Sequence, residues 1–431
     1  MKHTVEEVRL RNGARGLLID VPGATVMNFR FDFRAGSRFV ENYHDKWETA
    51  HIMEHLAFGA NELFKSSHAF TAEFAKNGAY HNAFTSDISM GYMAECADFE
   101  WDRILDLQRL AICKPKFSNA ELISEKGNVK SELTGCQNDY GRLLWPKVAQ
   151  ALGEDTLLFS QRLKVMDNTT LSDVKKHHQR THTLNNMRFV IAGKMHGRKS
   201  RIKQMLEEWD LPAGKRLAMP VDEYSKSEPI LIRRKDASNL TFGLSLSLPR
   251  RLNDSESNAM GCLSHILTGT LYSRIFGVAR KEGLVYHMWS GTSKGTSESF
   301  WDFGGGVNYE TSDALFDLIV KELQSVLAGK IKAEEVETAK LYALGRHQMG
   351  IQTVAQVSSL YSNRYSFDGH IRDYSKTSDR IKRISADHII KIAREFVDAN
   401  TWVLAAVGSC KKERLVNLND KLTELFPLSE G

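Results

Sequence analysis

The second half of this 431-residue chain reads as a worn copy of the first, and that repeat constrains the fold more than any other feature. Leu240–Leu248 alternates apolar and polar side chains as Val26–Phe33 does. Lys332-Ala333-Glu334-Glu335-Val336 matches Asn119-Ala120-Glu121-Leu122-Ile123, and Trp402–Gly408 matches the apolar stretch ending at Gly193. The offset is 210 from His55 to His265 and 213 from Ala120 to Ala333, as duplication of one folding unit requires. The length is too great for one ordinary domain and suits two or three. The expected division is 1–212, a proline-bearing polar linker 213–229, and 230–431.

Within each copy, strands and hairpins come in runs interrupted by long helical stretches. Val8-Arg9-Leu10, a turn at Asn12-Gly13, and Gly16–Val21 read as a hairpin. Val26–Phe33 puts Met27, Phe29, Phe31 and Phe33 on one face of a strand. Helices are expected over Ala69–Lys76 and from about Phe99 to Cys113, with Glu154–Val165 as a loop. Runs of this kind predict an α+β fold, helices packed on a mostly antiparallel sheet, made twice in tandem.

The first copy carries a feature that the second has lost. Glu48–Phe58 has helical periodicity, and His51 and His55 stand at i and i+4, one turn apart on one face. That spacing offers two nitrogens to one zinc ion. Glu54 lies on the rim of the same face, where it can act as a general base without being a ligand. A surface turn with two solvated histidines fits these five residues equally well. In the second copy Gly261, Ser264 and Gly345 occupy the places of His51, Glu54 and Glu132, so that copy is not expected to hold a metal.

A catalytic zinc needs a third protein ligand. Glu125 and Glu132 lie seven apart in a helical stretch, hence on one helix face. Here the chain resembles the pitrilysin, insulin-degrading-enzyme and mitochondrial processing peptidase family. Members of that family carry His-x-x-Glu-His and a ligand glutamate 77 positions after the second histidine, which in this chain is Glu132. A second acidic residue seven before that ligand corresponds to Glu125.

The resemblance covers essentially the whole chain and implies a zinc-dependent endopeptidase of short or unfolded peptides, with one zinc per chain. His51, His55 and Glu132 would be the ligands, Glu54 the base, and Glu125 a support for a ligand or the peptide. Asn82, Ala83, Phe84 and Thr85 resemble the family's Asn-Ala-x-Thr segment, a sheet edge on which substrate adds as a strand; an internal strand also fits the residues alone. Tyr286 resembles the tyrosine that reaches substrate from the second kind of domain. Arg280 stands six before it, whereas relatives place their arginine seven before. Half the size of the larger relatives, the chain is expected to be a homodimer, or a heterodimer with a motif-less homologous subunit. The rival expectation is a non-catalytic structural or partner subunit.

Composition excludes other classes. A net charge of +5 is too small to argue for nucleic acid. The basic run Lys175, Lys176, His177, His178 and Arg180 lacks interleaved aromatics and reads as a solvated helix face. Gly304-Gly305-Gly306 lacks the Lys-Ser/Thr of a phosphate loop and reads as close packing in a strand. No apolar run approaches a membrane span, and Met1–Arg11 has no signal-like apolar segment, so the expected location is the cytoplasm. The five cysteines form no CxxC pair and read as reduced thiols.

Overall fold

The computed structural model describes residues 1–426. The first sheet contains β1 (Thr4–Arg9), β2 (Arg15–Asp20), β3 (Val26–Phe33), β4 (Tyr80–Thr85), β5 (Met90–Ala97) and β6 (Met187–Gly193), in the spatial order β1-β2-β6-β3-β5-β4. The second contains β7 (Ile230–Arg233), β8 (Leu240–Leu248), β9 (Val285–Lys294), β10 (Ser299–Val307) and β11 (Thr401–Gly408), in the order β7-β11-β8-β10-β9. Each sheet has a single parallel pair, β2 with β6 and β7 with β11; every other pairing is antiparallel. Strand for strand, the second sheet repeats the first without its β1. The duplicated α+β architecture is thus as expected.

The local reasons lie in the sequence. Gly13 closes the β1–β2 hairpin at φ +95°, a conformation that a side chain would strain. On β3, Met27, Phe29, Phe31 and Phe33 are all buried and meet helices in the first core. β3 and β8 begin and end where their alternation does.

Packing draws the domain limits differently from sequence. One compact unit is Met1–Gly135 with Phe159–Pro220 and Met349–Arg372; the other is Cys136–Leu158 with Val221–Gln348 and Asp373–Gly431. The limits 1–212 and 230–431 therefore describe the duplication, while the packed units exchange a helix. In the second unit the helix Tyr140–Leu152 lies on β11 and β8, burying Leu144, Val148 and Leu152 against Val403, Ala405 and Val407. In the first, the helix Val354–Asp368 lies on β6 and β3. Its Tyr361 hydroxyl meets His3 Nε2 at 2.7 Å, Tyr365 donates to Glu7 at 3.1 Å, and Ser366 donates to Asp32. The segment 213–229, expected as the linker, is irregular.

Two local expectations need correction. Within Glu154–Val165, read as a loop, Phe159–Val165 forms a helix. In the basic helix Leu171–Thr181, Lys175, Lys176 and Arg180 are exposed, but His177 is buried, as is His182 just beyond. Val174, His177, His178 and Thr181 make a helical stripe, and that stripe faces inward. Gly304 behaves as expected: a Cβ there would come within 2.8 Å of Trp289 Nε1. All five cysteines are free; Cys96, Cys136 and Cys262 are buried, Cys113 and Cys410 partly so. No helix among the described residues is long and apolar enough to cross a membrane.

Candidate metal centre

The helix Thr49–Ala57 buries Thr49, Ala50, Ile52, Met53, Leu56 and Ala57 and leaves His51, Glu54 and His55 on its open side. Burying Ile52, Met53 and Leu56 contributes roughly 1.5–3 kcal/mol each, which fixes the rotation of the helix and hence the direction of its histidines. The helix touches β4 and the helix Leu171–Thr181. It stops before Gly59, where a Cβ would approach Leu56 O at 2.9 Å and Glu121 Oε1 at 3.0 Å. Glu121 also accepts Ala60 N–H at 2.9 Å, tying the end of this helix to the start of the helix Asn119–Cys136.

That tie brings Glu132 over the histidines. Its Oε2 lies 3.5 Å from His51 Nε2 and 4.0 Å from His55 Nε2. The ligand atoms of His51, His55 and Glu132 all lie within 4.8 Å of one another. No other group of three His, Cys, Asp or Glu side chains converges in this way among the described residues. Two imidazole nitrogens and one carboxylate oxygen form the donor set of a catalytic zinc site with one position left open, so these residues fit that ion.

Each imidazole is also held from behind. His55 Nδ1 meets Glu125 Oε2 at 2.9 Å, and Asn128 donates to the same oxygen at 3.0 Å. His51 Nδ1 meets Glu48 Oε2 at 3.0 Å, and Arg162 grips both oxygens of Glu48, through Nε at 2.5 Å and Nη2 at 3.0 Å. An ionised carboxylate can only accept, so each Nδ1 carries the proton and each Nε2 faces Glu132. Glu125 thus lies behind His55. Glu48 and Arg162 were not expected as part of the site.

The electrostatics follow from crowding acids and imidazoles together. Burial opposes charging His51, but the bonds to Glu132 and Glu48 outweigh it and raise its pKa to about 9. The pairing with His51 holds the Glu132 carboxyl below its usual range, against some desolvation. Burial alone would raise Glu48, yet the bonds from His51 and Arg162 bring it below its ordinary value. A cation bound between the imidazoles and Glu132 would displace the proton that these carboxylates attract. Glu54 has no hydrogen-bond or ion-pair partner among the described residues, and its carboxylate remains free for another group.

The remaining expected site residues form two further groups. Asn82, Ala83, Phe84 and Thr85 lie on β4, the edge strand of the first sheet. Ala83 N–H donates to Asn82 Oδ1 at 2.9 Å, so a side chain rather than a strand serves that amide. Tyr286 lies at the start of β9 in the second unit and is 81% exposed, with the Arg280 guanidinium 4.3 Å from its ring centroid. In the second unit, His265 stacks on Tyr342 with ring centroids 4.0 Å apart.

A family model described as "Insulinase (Peptidase family M16)" matches residues 17–163, and one described as "Peptidase M16 inactive domain" matches residues 168–342. No curated protein matches the sequence significantly. Among solved structures, a protease from Helicobacter pylori is 17% identical, with TM-score 0.81 over 95% of this chain and 100% of that one. A Pseudomonas fluorescens structure described as a peptidase M16 inactive domain is 15% identical, with TM-score 0.81 over 95% of this chain and 99% of that one. At such identities the structures establish the shared fold alone. The two family models between them span the metal cluster and most of both copies, and the chain belongs to the M16, or insulinase, peptidase family.

Proposed function

We propose that this protein is a zinc-dependent endopeptidase that cleaves short or unfolded peptides. The observation that carries the reading is the convergence of His51, His55 and Glu132, each imidazole oriented by its own carboxylate. Zinc, when bound there, supplies a Lewis acid that polarises the scissile carbonyl and makes water a stronger acid. Glu54 orients the attacking water, takes its proton and returns it to the leaving amine. Glu48 and Glu125 keep the imidazoles aimed. The peptide docks as an extended strand along β4, replacing Asn82 at the Ala83 N–H, which favours substrates with free backbone groups.

The active assembly in this reading is a two-fold dimer in which Tyr286, flanked by Arg280, donates to the developing oxyanion in the site of the other copy. The high exposure of Tyr286 supports this. A second reading, a non-catalytic partner subunit, draws on the description of the Pseudomonas fluorescens neighbour as an inactive domain. Retention of all of His51, Glu54, His55 and Glu132 favours the enzyme. Metal analysis alongside cleavage of a quenched fluorescent peptide tests the choice; metal-free protein with no cleavage would reject it.

A further inference from the structure

Glu48 stands at the N-cap of the histidine helix, where Ser, Thr, Asn or Asp commonly accepts from the first unpaired N–H groups. Its side chain makes no such bond. It turns inward, is fully buried, and takes Nδ1–H of His51 on one side and Arg162 on the other. A buried carboxylate without a partner is strongly destabilising, whereas one gripped by an arginine through both oxygens has a fixed place. The His51 ring bonded to it is therefore held in one orientation, with Nδ1–H toward Glu48 and Nε2 toward Glu132.

The path of the chain makes this more than a passing ion pair. Cys136–Leu158 belongs to the second packed unit, and Phe159 is the first residue back in the first unit. Glu132 lies just before that excursion and Arg162 just after it. Glu132 faces Nε2 of His51, and Arg162 reaches Nδ1 of the same ring through Glu48. Both ends of the excursion are thus anchored on one imidazole.

We infer that Glu48 and Arg162 act as one positioning pair for the metal, presetting His51 before the ion arrives. The inference rests on the zinc reading above. Without the pair, the ring would have to be ordered by the metal itself, and zinc would bind more weakly even in a well-folded protein. The alternative is a structural staple that only joins the helix Phe159–Val165 to the histidine helix.

The test uses the full chain, with zinc affinity measured by competition against a chelator at fixed pH and salt. Glu48→Ala and Glu48→Gln are expected to bind zinc about 10- to 100-fold more weakly, the glutamine variant less affected because it keeps an acceptor oxygen. Arg162→Ala should fall in the same range and Arg162→Lys should recover part of the loss. Glu48→Gln combined with Arg162→Ala should be little worse than the weaker single variant, as expected of residues acting through one bond. The zinc-induced rise in melting temperature should shrink in step. Zinc affinity within twofold of wild type in folded Glu48→Gln overturns the inference while sparing the zinc reading. So does an equal fall in melting temperature with and without zinc, the signature of a staple. If Glu48→Ala fails to fold, the near-isosteric Glu48→Gln and Arg162→Lys decide. Wild-type protein with no zinc affinity would overturn both.

Discussion

Glu125 meets Nδ1 of His55 at 2.9 Å, so one face of one helix supplies both the group behind that ring and, two turns on, the Glu132 oxygen in front of it. Removing the rear contact should loosen the ring without removing a ligand. Glu125→Ala is expected to weaken zinc binding about 10- to 100-fold, and Glu125→Gln less. Unchanged zinc affinity in both variants, measured by chelator competition, would reduce Glu125 to a bystander.

The exchanged helix Val354–Asp368 makes a second prediction. Asp32 on β3 is only 2% exposed and accepts from Ser366 of that helix. Ser366→Ala removes one donor to a buried carboxylate and is expected to lower stability by about 1–3 kcal/mol in urea unfolding. A midpoint unchanged within error would mean that the contact does not hold the helix to its sheet.

Acid should weaken the first unit through His177. Its Nε2–H donates to Ala35 O at 2.9 Å, and burial depresses its pKa to about 4. The unfolded chain takes up this proton near pH 6.5, while the folded chain resists until about pH 4. Below the unfolded value, stability therefore falls with each step of acidification, down to the folded value. The full effect is about 3 kcal/mol between pH 6.5 and 4. His177→Gln, which keeps a donor but does not titrate, should flatten that part of the stability–pH curve; identical slopes would contradict the assignment.

The proposed shared-site dimer is open to complementation. Glu54→Gln and Tyr286→Phe, each inactive alone, should on mixing after partial dissociation recover roughly a quarter of wild-type activity, since random pairing leaves one intact site in half of the dimers. Wild-type activity with no recovery would exclude Tyr286 from the opposite site. A fully active monomer by light scattering would exclude the dimer.

Some of this was legible in the sequence because it depends on spacing along one element. The i, i+4 pair of His51 and His55 and the seven-residue step from Glu125 to Glu132 are helix-surface relations, and the structure keeps them. The alternation of β3 and β8 likewise marked their ends. Glu48 and Arg162 lie 114 residues apart, and nothing local signals a bond between them. The Arg162 segment read as a loop because its helix is only seven residues long, too short for a periodic pattern. The helix exchange was hidden for a similar reason: an amphipathic pattern shows that a face is buried, not which sheet buries it. His177 counts as a charge in the basic run, yet it shares a helical stripe with Val174 and Thr181, and that stripe is the cue to its burial.

The most direct test pairs metal content with peptide cleavage in Glu54→Gln. Wild-type protein and Glu54→Gln should each carry about one zinc per chain if, as proposed, Glu54 acts as a base and not as a ligand. Cleavage by Glu54→Gln should fall by about 10²–10⁴-fold, while His51→Ala and Glu132→Ala lose metal and activity together. A Glu54→Gln protein that retains zinc and full activity, or one that comes off the column metal-free, would contradict the account.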